Sequence, residues 1–340
     1  MPTEREHRRR ANIHDVAAEA GLSRGTVSRV INGERYVSDD ARAAIQAAIE
    51  KVGYVRNTAA RNLKTRKSHA IGLIVHEPHS LFLEDPNIGA ILLGTNTVLS
   101  EADYQLVSLV IDSDRDSDRV ASYLSGGFVD GVVIISARSG DPIARAVARL
   151  GIPAAFVGHP PDIEGIPYVG INNFSAARAI TERLMATGRS QIGMVASALD
   201  RDSGHDRLAG FRAALGDRFD DSLVVDFPLY AHSTGLVGMR QLLARAPLID
   251  GVFAASDSIA AGVLDALRES GRRVPEDVGV VGFDDSAWAL RCQPNLSTVH
   301  QPAEELGRAA ARRVLAQLNG EEATGEGTLL PTSIVWRDSA

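Results

Sequence analysis

The sequence predicts a small all-α domain at the amino terminus, followed by a larger α/β body with parallel sheets. Residues 12–53 contain three short amphipathic segments with helical spacing of their apolar residues. From Ala70 onwards, continuous apolar runs alternate with helical segments, which is typical of buried parallel sheets. The charge supports the same division. Residues 1–67 hold 14 Lys and Arg against 8 Asp and Glu, although the whole chain has a net charge of −7.

The composition is that of a globular protein long enough for two or three domains. The chain has 340 residues, of which 44% are hydrophobic and 23% are charged. No apolar run reaches the roughly 18–20 residues that a membrane span needs, and the Arg-rich start lacks a secretory pattern. The single Cys292 excludes a disulfide framework and a cysteine zinc site. We therefore expect a cytoplasmic protein without metal or cofactor.

The first two helices of the head carry recognisable end signals. Asn12 with Asp15 predicts a capping box, and Gly21 predicts the end of the first helix. Its apolar face consists of Ile13, Val16, Ala17 and Ala20. Ser23 predicts the cap of the second helix, with Val27, Val30 and Ile31 pointing inward. The outward face of the second helix consists of Arg24, Gly25, Ser28 and Arg29.

These helices are typical of a helix-turn-helix. A third helix is predicted from Ser38 to Val52, with Gly53 ending it. Two short helices joined by a tight turn match the motif whose second helix enters the DNA major groove. The alternative is a generic three-helix bundle. The hydrolase pattern G-x-S-x-G at residues 21–25 is interpreted as chance, because a helix precedes it instead of a strand.

At these residues the sequence resembles the LacI/GalR family of bacterial transcription regulators. The matching residues are Asp15-Val16-Ala17, Ala20-Gly21, Ser23, Thr26-Val27-Ser28-Arg29-Val30-Ile31-Asn32-Gly33, Gly53-Tyr54 and Ala60-Arg61-Asn62-Leu63-Lys64. The resemblance covers about residues 12–338. It implies a DNA-binding domain over 12–56, a hinge helix and linker over 57–67, and an effector-binding and dimerisation domain over 68–340.

The resemblance also implies which residues meet DNA. Arg24, Gly25 and Arg29 would occupy the base-reading positions. An arginine there can donate two hydrogen bonds to O6 and N7 of a guanine. The other implied DNA contacts are Ser23, Thr26, Ser28, Asn32, Arg61, Leu63 and Lys64. Leu63 matches the leucine that wedges into the minor groove at the operator centre. The alternative for this segment is an unstructured linker with a buried leucine.

The body shows strand and helix candidates in alternation. Strands are predicted at 71–75, 105–110, 131–135, 154–157, 192–196, 251–255 and 278–283. Helices are predicted at 176–186, 207–215, 258–270 and 304–318. The family resemblance implies two lobes of the periplasmic-binding-protein type I kind, joined by crossovers near 169–172, 297–302 and 329–331. The N-lobe would then comprise about 70–168 and 300–328, and the C-lobe about 169–299 and 329–340.

Ligands of such sheets bind beyond the carboxyl ends of the strands. The resemblance implies effector contacts from Arg207, in R-x-x-G-F at a helix start, and from Asp284, in V-G-F-D-D at a strand end. The other implied effector contacts are Phe82, His159, Tyr230, Ser256 and Gln301. The alternatives are an Arg207–Asp284 salt bridge without a ligand and a merely solvated His159. Asp257 is interpreted as a helix cap.

The predicted effector is a neutral saccharide. Asn172 stands where the family has an aspartate, so the cleft has one negative charge fewer. This favours a neutral, hydroxyl-rich ligand over a cationic ligand. A nucleobase is the alternative. The chain after residue 330 carries no leucine heptads of the kind found in family tetramers, so we expect a homodimer.

Enzyme motifs lack a suitable context. His76-Glu77-Pro78-His79 does not predict a zinc site because Pro78 would break the required helix, and Asp284-Asp285 has no accompanying nucleophile. The predicted function is a transcriptional regulator, most often a repressor, that binds double-stranded operator DNA and is released by a small-molecule effector. The alternatives are a co-repressor-dependent regulator, a transport-type binding protein, and a cytoplasmic α/β protein acting on sugars or nucleosides.

Overall fold

The structure is a computed structural model that describes residues 11–31, 33, 36–54, 67–159 and 163–340. The chain divides into two compact units, Met1–Lys67 and Ser68–Ala340, called here the head and the body. Each unit is described by itself.

The head contains three helices whose ends follow the predicted caps. They are α1 (Ile13–Ala20), α2 (Arg24–Ile31) and α3 (Asp39–Val52). The Asn12 side chain accepts from the amide of Asp15, whose carboxylate accepts from the amide of Asn12, which confirms the capping box. Gly21 and Gly53 end α1 and α3 with a φ of 64° each, in the left-handed region that favours glycine. The fully buried core residues are Val16, Val27 and Ile45.

The body alternates strands and helices along the chain. The strands are β1 (Ala70–His76), β2 (Gln105–Ile111), β3 (Gly131–Ile135), β4 (Ala154–Val157), β5 (Tyr168–Ile171), β6 (Ile192–Ser197), β7 (Val224–Phe227), β8 (Gly251–Ala254), β9 (Gly279–Val281), β10 (Thr298–His300), β11 (Gly327–Leu330) and β12 (Ser333–Val335). The helices are α4 (His79–Glu84), α5 (Pro86–Glu101), α6 (Asp114–Ser125), α7 (Pro142–Leu150), α8 (Asn173–Met185), α9 (Asp202–Leu215), α10 (His232–Arg245), α11 (Asp257–Glu269), α12 (Ala287–Arg291) and α13 (Ala303–Leu318).

These elements form two lobes, each built on a parallel sheet. The first lobe has six strands in the order β11-β5-β4-β3-β1-β2, and the second has four in the order β7-β6-β8-β9. The antiparallel pair β10–β12 is a separate two-stranded sheet. Helices α5 and α13 pack in the first lobe, whereas α8 to α11 pack in the second. Within the described ranges, no helix has the length and apolar character to cross a membrane.

The lobe boundaries differ from those predicted. Residues 169–172 were expected to be a crossover, yet Tyr168–Ile171 is strand β5 of the first sheet. Gly327–Leu330 pairs in parallel with β5 in the same sheet, although 329–331 was expected to be a crossover. The chain therefore leaves the first sheet about three residues later than predicted at the first crossing, after Ile171. The edge strands β7 and β11 were not predicted, because their half-exposed residues do not form a continuous apolar run.

A close helix contact fixes one wall of the first lobe. A Cβ added to Gly94 in α5 would lie 1.9 Å from the carbonyl oxygen of Glu304 in α13. A Cβ added to Gly307 in α13 would lie 2.1 Å from the carbonyl oxygen of Ile91. Only glycine permits two backbones to approach so closely. The middle of α5 and the start of α13 are thereby held side by side, and both helices contribute residues to the cavity described below.

Candidate functional site

The exposed face of α2 carries the residues predicted to read DNA bases. Arg24, Gly25 and Arg29 are exposed, whereas Val27 on the opposite face is fully buried. Because α2 is held by its apolar face, it presents two guanidinium groups to its surroundings. This matches the predicted division between inward and outward residues.

Ser23 and Thr26 have local roles at the start of α2. Ser23 Oγ accepts a hydrogen bond of 3.1 Å from the amide of Thr26 and lies 2.9 Å from Thr26 Oγ1. This geometry confirms Ser23 as the helix cap. Ser28 is half-buried on α2. The remaining predicted DNA contacts, Asn32, Arg61, Leu63 and Lys64, lie outside the described residues.

The body encloses a cavity where loops at the carboxyl ends of both sheets meet. Its volume is about 140 Å³. The first lobe contributes residues that follow β1, β3 and β4 and the starts of α5 and α13, and the second contributes residues that follow β6, β7, β8 and β9. A neighbouring groove of about 500 Å³ shares His159 and Arg201 with this cavity and extends to Tyr168 and His205. Parallel sheets bind ligands at this end.

Arg207 is the central cation of the cavity. It lies in the second turn of α9, because α9 begins at Asp202, five residues before the predicted start. Its Nε donates to Asn173 Oδ1 at 3.0 Å, and its Nη1 donates to the carbonyl of Ala255 at 2.6 Å. The guanidinium lies 3.6 Å from the centre of the Phe283 ring, a cation–π contact. The described hydrogen bonds leave its Nη2 unused, so this donor can serve a ligand.

Asp284 supplies the facing carboxylate. Its Oδ1 lies 3.6 Å from Arg207 Nη1 and accepts 2.7 Å from Gln301 Nε2. Burial raises the pKa of Asp284 well above the ordinary aspartate value, and the Arg207 guanidinium opposes that rise. Asp284 has a φ of 118°, a strained conformation held by a 2.8 Å hydrogen bond from its amide to the carbonyl of Val299.

The second lobe adds hydroxyl groups and an aromatic ring. Tyr230 lines the cavity, and its hydroxyl lies 3.2 Å from Ser203 Oγ. Ser256 also lines the cavity, with Ser258 Oγ at 2.9 Å from its own Oγ. Ser203 and Ser258 were not predicted, because a single serine in the first turn of a helix carries no pattern of its own.

Asp257 is not the helix cap that the sequence suggested. Ser256 caps α11 by accepting 3.2 Å from the amide of Ile259. The Asp257 carboxylate instead turns inward, where it accepts from Thr298 Oγ1 at 2.6 Å and from the amide of Ser286 at 2.7 Å. Its complete burial raises the pKa of Asp257 to about 7.

Phe82 does not line the cavity, contrary to prediction. It lies in the short helix α4 and packs against the core, while the following residues Asp85 and Asn87 reach the cavity. The second aromatic ring of the cavity is Trp288 of α12. Trp288 stacks on His232 with the ring centroids 6.1 Å apart.

His159, a predicted effector contact, lines the cavity and is exposed at its entrance. Its ring lies 4.3 Å from that of Tyr168, and its amide donates to Asp202 Oδ2 at 2.6 Å. Asn172 caps α8 by accepting 2.8 Å from the amide of Ser175 and lines only the neighbouring groove. The expected loss of charge at Asn172 therefore does not affect the cavity itself.

An ion pair between the lobes was missed by the sequence analysis. Glu77, directly after β1, pairs with Arg201, which follows β6 in the second lobe. Both side chains line the cavity, and the two residues are 3% and 6% exposed. Glu77 immediately follows a predicted strand, so the strand-end rule could have identified it. The motif search considered Glu77 only as part of a zinc pattern.

Further contacts join the lobes beside this pair. Arg138, after β3, pairs with Asp200 of the second lobe. The amide of Ser139 donates to the carbonyl of Asp200 at 3.0 Å. With the His159–Asp202 contact, these bonds hold the two lobes together around the cavity.

The arrangement is suited to binding a polar ligand. It combines a forked cation, carboxylates, hydroxyls and aromatic faces around an enclosed space. Among the described residues, no group of three or more His, Cys, Asp or Glu is arranged to hold a metal ion. Ser203, Ser256 and Ser258 bond to a tyrosine or to each other, without a histidine base in any of the described contacts.

The sequence matches two family models. Residues 12–57 match the bacterial regulatory proteins of the lacI family, and residues 181–340 match the periplasmic binding protein-like domain. The chain is 40% identical over 339 residues to the HTH-type transcriptional regulator CelR of Thermobifida fusca, covering 98% of this chain and 99% of CelR. The chain belongs to the LacI family. As a member of that family, it is a DNA-binding transcriptional regulator.

Solved structures of LacI-family regulators agree with this fold. The transcriptional regulator CelR–cellobiose complex has a TM-score of 0.78 and 38% identity, covering 97% of this chain and 100% of that chain. The Lac repressor dimer bound to operator and the anti-inducer ONPF has a TM-score of 0.86 and 26% identity, covering 97% and 99%. The predicted fold, a helix-turn-helix head and an α/β body of the periplasmic-binding-protein type I kind, is confirmed.

Proposed function

We propose that this LacI-family member is a homodimeric repressor that leaves a palindromic operator when a neutral saccharide enters the cavity between its lobes. The observation that carries the proposal is one cavity to which both lobes supply polar side chains and the second lobe supplies the rings of Tyr230 and Trp288. The likeness to CelR, which was solved with cellobiose, supports a sugar. The likeness to the operator-bound Lac repressor dimer supports the assembly and the DNA partner.

The chemistry of the cavity favours hydroxyl groups over charged groups. Asp284 offers acceptor oxygens beside the donors of Arg207, so a group that both donates and accepts satisfies both. Tyr230 and Trp288 offer flat apolar faces on which a sugar ring can lie. The predicted effector contacts that meet here are Arg207, Asp284, Tyr230, Ser256, Gln301 and, at the entrance, His159. We propose that these residues hold the effector.

The space available favours a ligand longer than one ring. The cavity of about 140 Å³ is smaller than the roughly 300–1,000 Å³ of typical small-molecule sites. The groove that continues from His159 and Arg201 adds about 500 Å³. One sugar ring in the cavity and a second ring in the groove would use both spaces. We therefore propose a disaccharide as the first candidate effector.

The head would bind the operator through α2. Arg24 and Arg29 are exposed on one face of this helix and can reach base edges in a major groove. The domain limits proposed from the sequence assign DNA binding to 12–56 and the hinge and linker to 57–67. Two heads of a dimer would read two half-sites of a palindrome.

The effector would act by selecting one arrangement of the lobes. A ligand that touches both lobes stabilises the arrangement in which both sets of contacts are made, and only to the extent of that difference in affinity. The hinge residues join the head to β1 of the first lobe in sequence. A changed lobe angle in both protomers would separate the two hinges and release the operator. Co-repression, in which the same ligand strengthens DNA binding, is the opposite outcome of the same test.

We propose binding without catalysis and a cytoplasmic location. The serines of the described cavity lining lack a histidine partner that would activate them as nucleophiles. A regulator that binds chromosomal operators acts in the bacterial cytoplasm. A turnover assay with cellobiose and aryl glycosides, monitored for released glucose or phenol, is expected to show no product.

The test is operator affinity with and without sugar. Fluorescence anisotropy of the full-length protein on the palindrome nearest its own gene is expected to give tight binding that weakens when cellobiose is added. A panel of D-glucose, D-ribose and lactose tests the ligand class. Tighter binding with sugar would show co-repression, and no response to any sugar would contradict the proposed effector class. No preference for the palindrome over scrambled DNA would contradict the operator assignment.

A further inference from the structure

The carboxylate of Asp130 holds the first residues of the body. Its Oδ1 accepts hydrogen bonds from the amide and the hydroxyl of Ser68, at 2.6 and 3.0 Å, and its Oδ2 accepts from the amide of His69 at 2.8 Å. The amide of Asp130 in turn donates to the carbonyl of Ala70 at 2.8 Å. These bonds, called here the Asp130 clamp, attach residues 68–70 to the residue that directly precedes β3.

The Asp130 clamp lies where the chain passes from the linker into the body. The body begins at Ser68, directly after the hinge and linker proposed over 57–67. His69 has a φ of 52°, a strained conformation for a residue other than glycine, and its ring lies 5.4 Å from that of Tyr104. Such a conformation persists only where the surroundings hold it. The clamp and the ring contact therefore fix the direction in which the chain enters β1.

The second lobe contains a matching clamp that does not involve the linker. Asp250 directly precedes β8, and its carboxylate accepts from the amides of Ser190 and Gln191 and from the Ser190 hydroxyl, at 2.8 to 3.0 Å. Its amide donates to the carbonyl of Gln191 at 3.0 Å. Residues 190–191 lie between α8 and β6, inside the second lobe. The Asp250 clamp thus has the same kinds of bonds at the start of a strand, without a linker attached to it.

Loss of the Asp130 clamp would lengthen the connection between the head and the body. Release of Ser68 and His69 adds about 7 Å of reach, since an extended residue spans roughly 3.3–3.6 Å. A longer connection lowers the effective concentration of one head at its half-site while the other head is bound. It also leaves more backbone to be ordered on the operator. Binding to two half-sites should therefore weaken, whereas phosphate contacts of single heads on random DNA should not.

We propose that Asp130 is a positioning residue for operator binding, which fixes the point and the direction at which the linker leaves the body. This inference rests on the proposed binding of a dimer to a palindromic operator, and it does not depend on the identity of the effector. Because Asp130 belongs to the first lobe, the clamp makes the start of the linker follow any movement of that lobe.

The experiment compares Asp130→Asn with Asp250→Asn in the full-length protein. Each substitution replaces a carboxylate oxygen with an NH₂ group facing backbone donors, so both variants should lower the urea midpoint of unfolding similarly. Anisotropy measures affinity for the palindrome nearest the protein's own gene and for random DNA. We expect Asp130→Asn to bind the palindrome roughly tenfold more weakly and random DNA as the wild type does. Asp250→Asn is expected to match the wild type on both.

The charge change cannot produce the expected difference. Both variants lose one negative charge, and this loss by itself favours binding to a polyanion. A weaker affinity of Asp130→Asn for the palindrome would therefore arise from the lost hydrogen bonds. The urea measurement shows whether the two variants are matched in stability, so that their operator affinities can be compared directly.

Two results would overturn the inference. Equal loss of operator affinity in Asp130→Asn and Asp250→Asn would show a general structural effect, and unchanged operator affinity in Asp130→Asn would show that the clamp does not position the linker. If Asp130→Asn does not fold, Ser68→Ala and Ser190→Ala repeat the comparison with a smaller expected factor, because each removes the hydroxyl bonded to the carboxylate and leaves both amides in place. If the wild type does not prefer the palindrome, the operator assignment fails first, and the role of Asp130 fails with it.

Discussion

Arg207, a proposed effector contact, also has a structural role. Its guanidinium holds Asn173 and the carbonyl of Ala255, and it faces Asp284 over the ring of Phe283. Two of its nitrogen atoms are thus committed to the protein, which orients the fork before any ligand arrives. Preorganisation of this kind reduces the ordering cost of binding.

We expect Arg207→Ala to keep operator binding but to lose the response to sugar. The coupling between effector and operator is typically about 1–3 kcal/mol, so the sugar-induced change in operator affinity of about 5- to 150-fold should disappear. The measurement is operator anisotropy with and without cellobiose. Arg212→Ala is the control, because Arg212 lies on the same helix but contacts Asp221 and the Phe219 ring and does not line the cavity. An Arg207→Ala protein that still responds at the same sugar concentration would make Arg207 structural.

If the buried Asp284 prevents Arg207→Ala from folding, Arg207→Lys serves in its place. The lysine keeps a positive charge opposite Asp284 but cannot bind in a planar fork. A weaker response at unchanged operator affinity is expected.

Arg29→Ala tests the recognition face of α2. Arg29 is exposed in the last turn of that helix, and the loss of a base contact costs about 1–3 kcal/mol. We expect weaker operator binding and relaxed preference at one operator position, measured on a set of single-base variants. Gln46→Ala on the exposed side of α3 is the control and should leave affinity unchanged. Equal discrimination by Arg29→Ala and wild type would refute the base contact.

Asp257 should make stability depend on pH. Burial raises the pKa of Asp257 from 3.8 to about 7, so the folded protein retains a proton that the unfolded chain has lost. The corresponding stability is complete below pH 4 and is lost as the pH rises towards 7, at about 1.4 kcal/mol for each pKa unit.

We expect Asp257→Asn to reduce this pH dependence. The asparagine oxygen can accept from the amide of Ser286, and its NH₂ group can donate to the Thr298 hydroxyl, which rotates to accept. Urea unfolding between pH 5 and 8 measures the difference in slope between wild type and variant. Asp277→Asn is the control, because Arg273 lowers the pKa of Asp277 to about 2, outside this range. Parallel slopes for wild type and Asp257→Asn would contradict the assignment.

At the scale of elements, the contact between α5 and α13 connects packing to the cavity. Both helices enter the cavity wall at their starts, and the glycines Gly94 and Gly307 set their separation. A larger residue at either position must push the helices apart, since the opposing atoms are backbone and cannot rotate away.

Gly94→Ala is therefore expected to destabilise the body by about 1–3 kcal/mol and to weaken sugar binding. The added Cβ would lie 1.9 Å from the carbonyl oxygen of Glu304. Gly89→Ala in the same helix is the control, because its Cβ would have no atom within 4 Å and alanine favours helix by up to about 1 kcal/mol. Chemical unfolding and calorimetric titration measure both effects. Equal stability of the two variants would disprove the close approach.

The sequence predicts elements well where one local pattern decides them. The caps Asn12 and Ser23 and the strand Gly131–Ile135 are found as predicted, because side-chain capping and continuous burial are local properties. The edge strands β7 and β11 were missed because they are strands by virtue of pairing with a neighbouring strand. Their own residues do not show a strand pattern.

The site could be predicted only in part. Arg207 and Asp284 were recognised because they belong to motifs, and the structure places them 3.6 Å apart. Arg201 was missed because its partner Glu77 lies 124 residues away in the chain. Ser256 caps α11 in place of Asp257, since either residue can cap a helix and the Asp257 carboxylate accepts from Thr298 instead.

At the scale of the molecule, the proposed function depends on a link between the cavity and DNA bending. Leu63, which lies outside the described residues, is proposed from the family resemblance to wedge between base pairs at the operator centre. Such a wedge unstacks a base step and bends the duplex.

We expect Leu63→Ala to fold normally, to lose most of the bend and to weaken specific binding more than non-specific binding. A circular-permutation gel measures the bend, and anisotropy on operator and random DNA measures the two affinities. Non-specific affinity, which comes from phosphate contacts, should still fall steeply with salt in both proteins. Unchanged bending by Leu63→Ala would exclude the wedge.

The contacts between the two lobes affect the residence time of a ligand as well as its affinity. The contacts Arg138–Asp200, Glu77–Arg201 and His159–Asp202 lie beside or along an enclosed space of about 140 Å³. A ligand that contacts both lobes loses part of its contacts when the lobes separate, so its release is coupled to the breaking of these bonds. Domain opening takes microseconds to milliseconds or longer, so we expect it to lengthen the residence time of the proposed effector. The duration of the regulator's response to its effector would therefore depend on the strength of the contacts between its lobes.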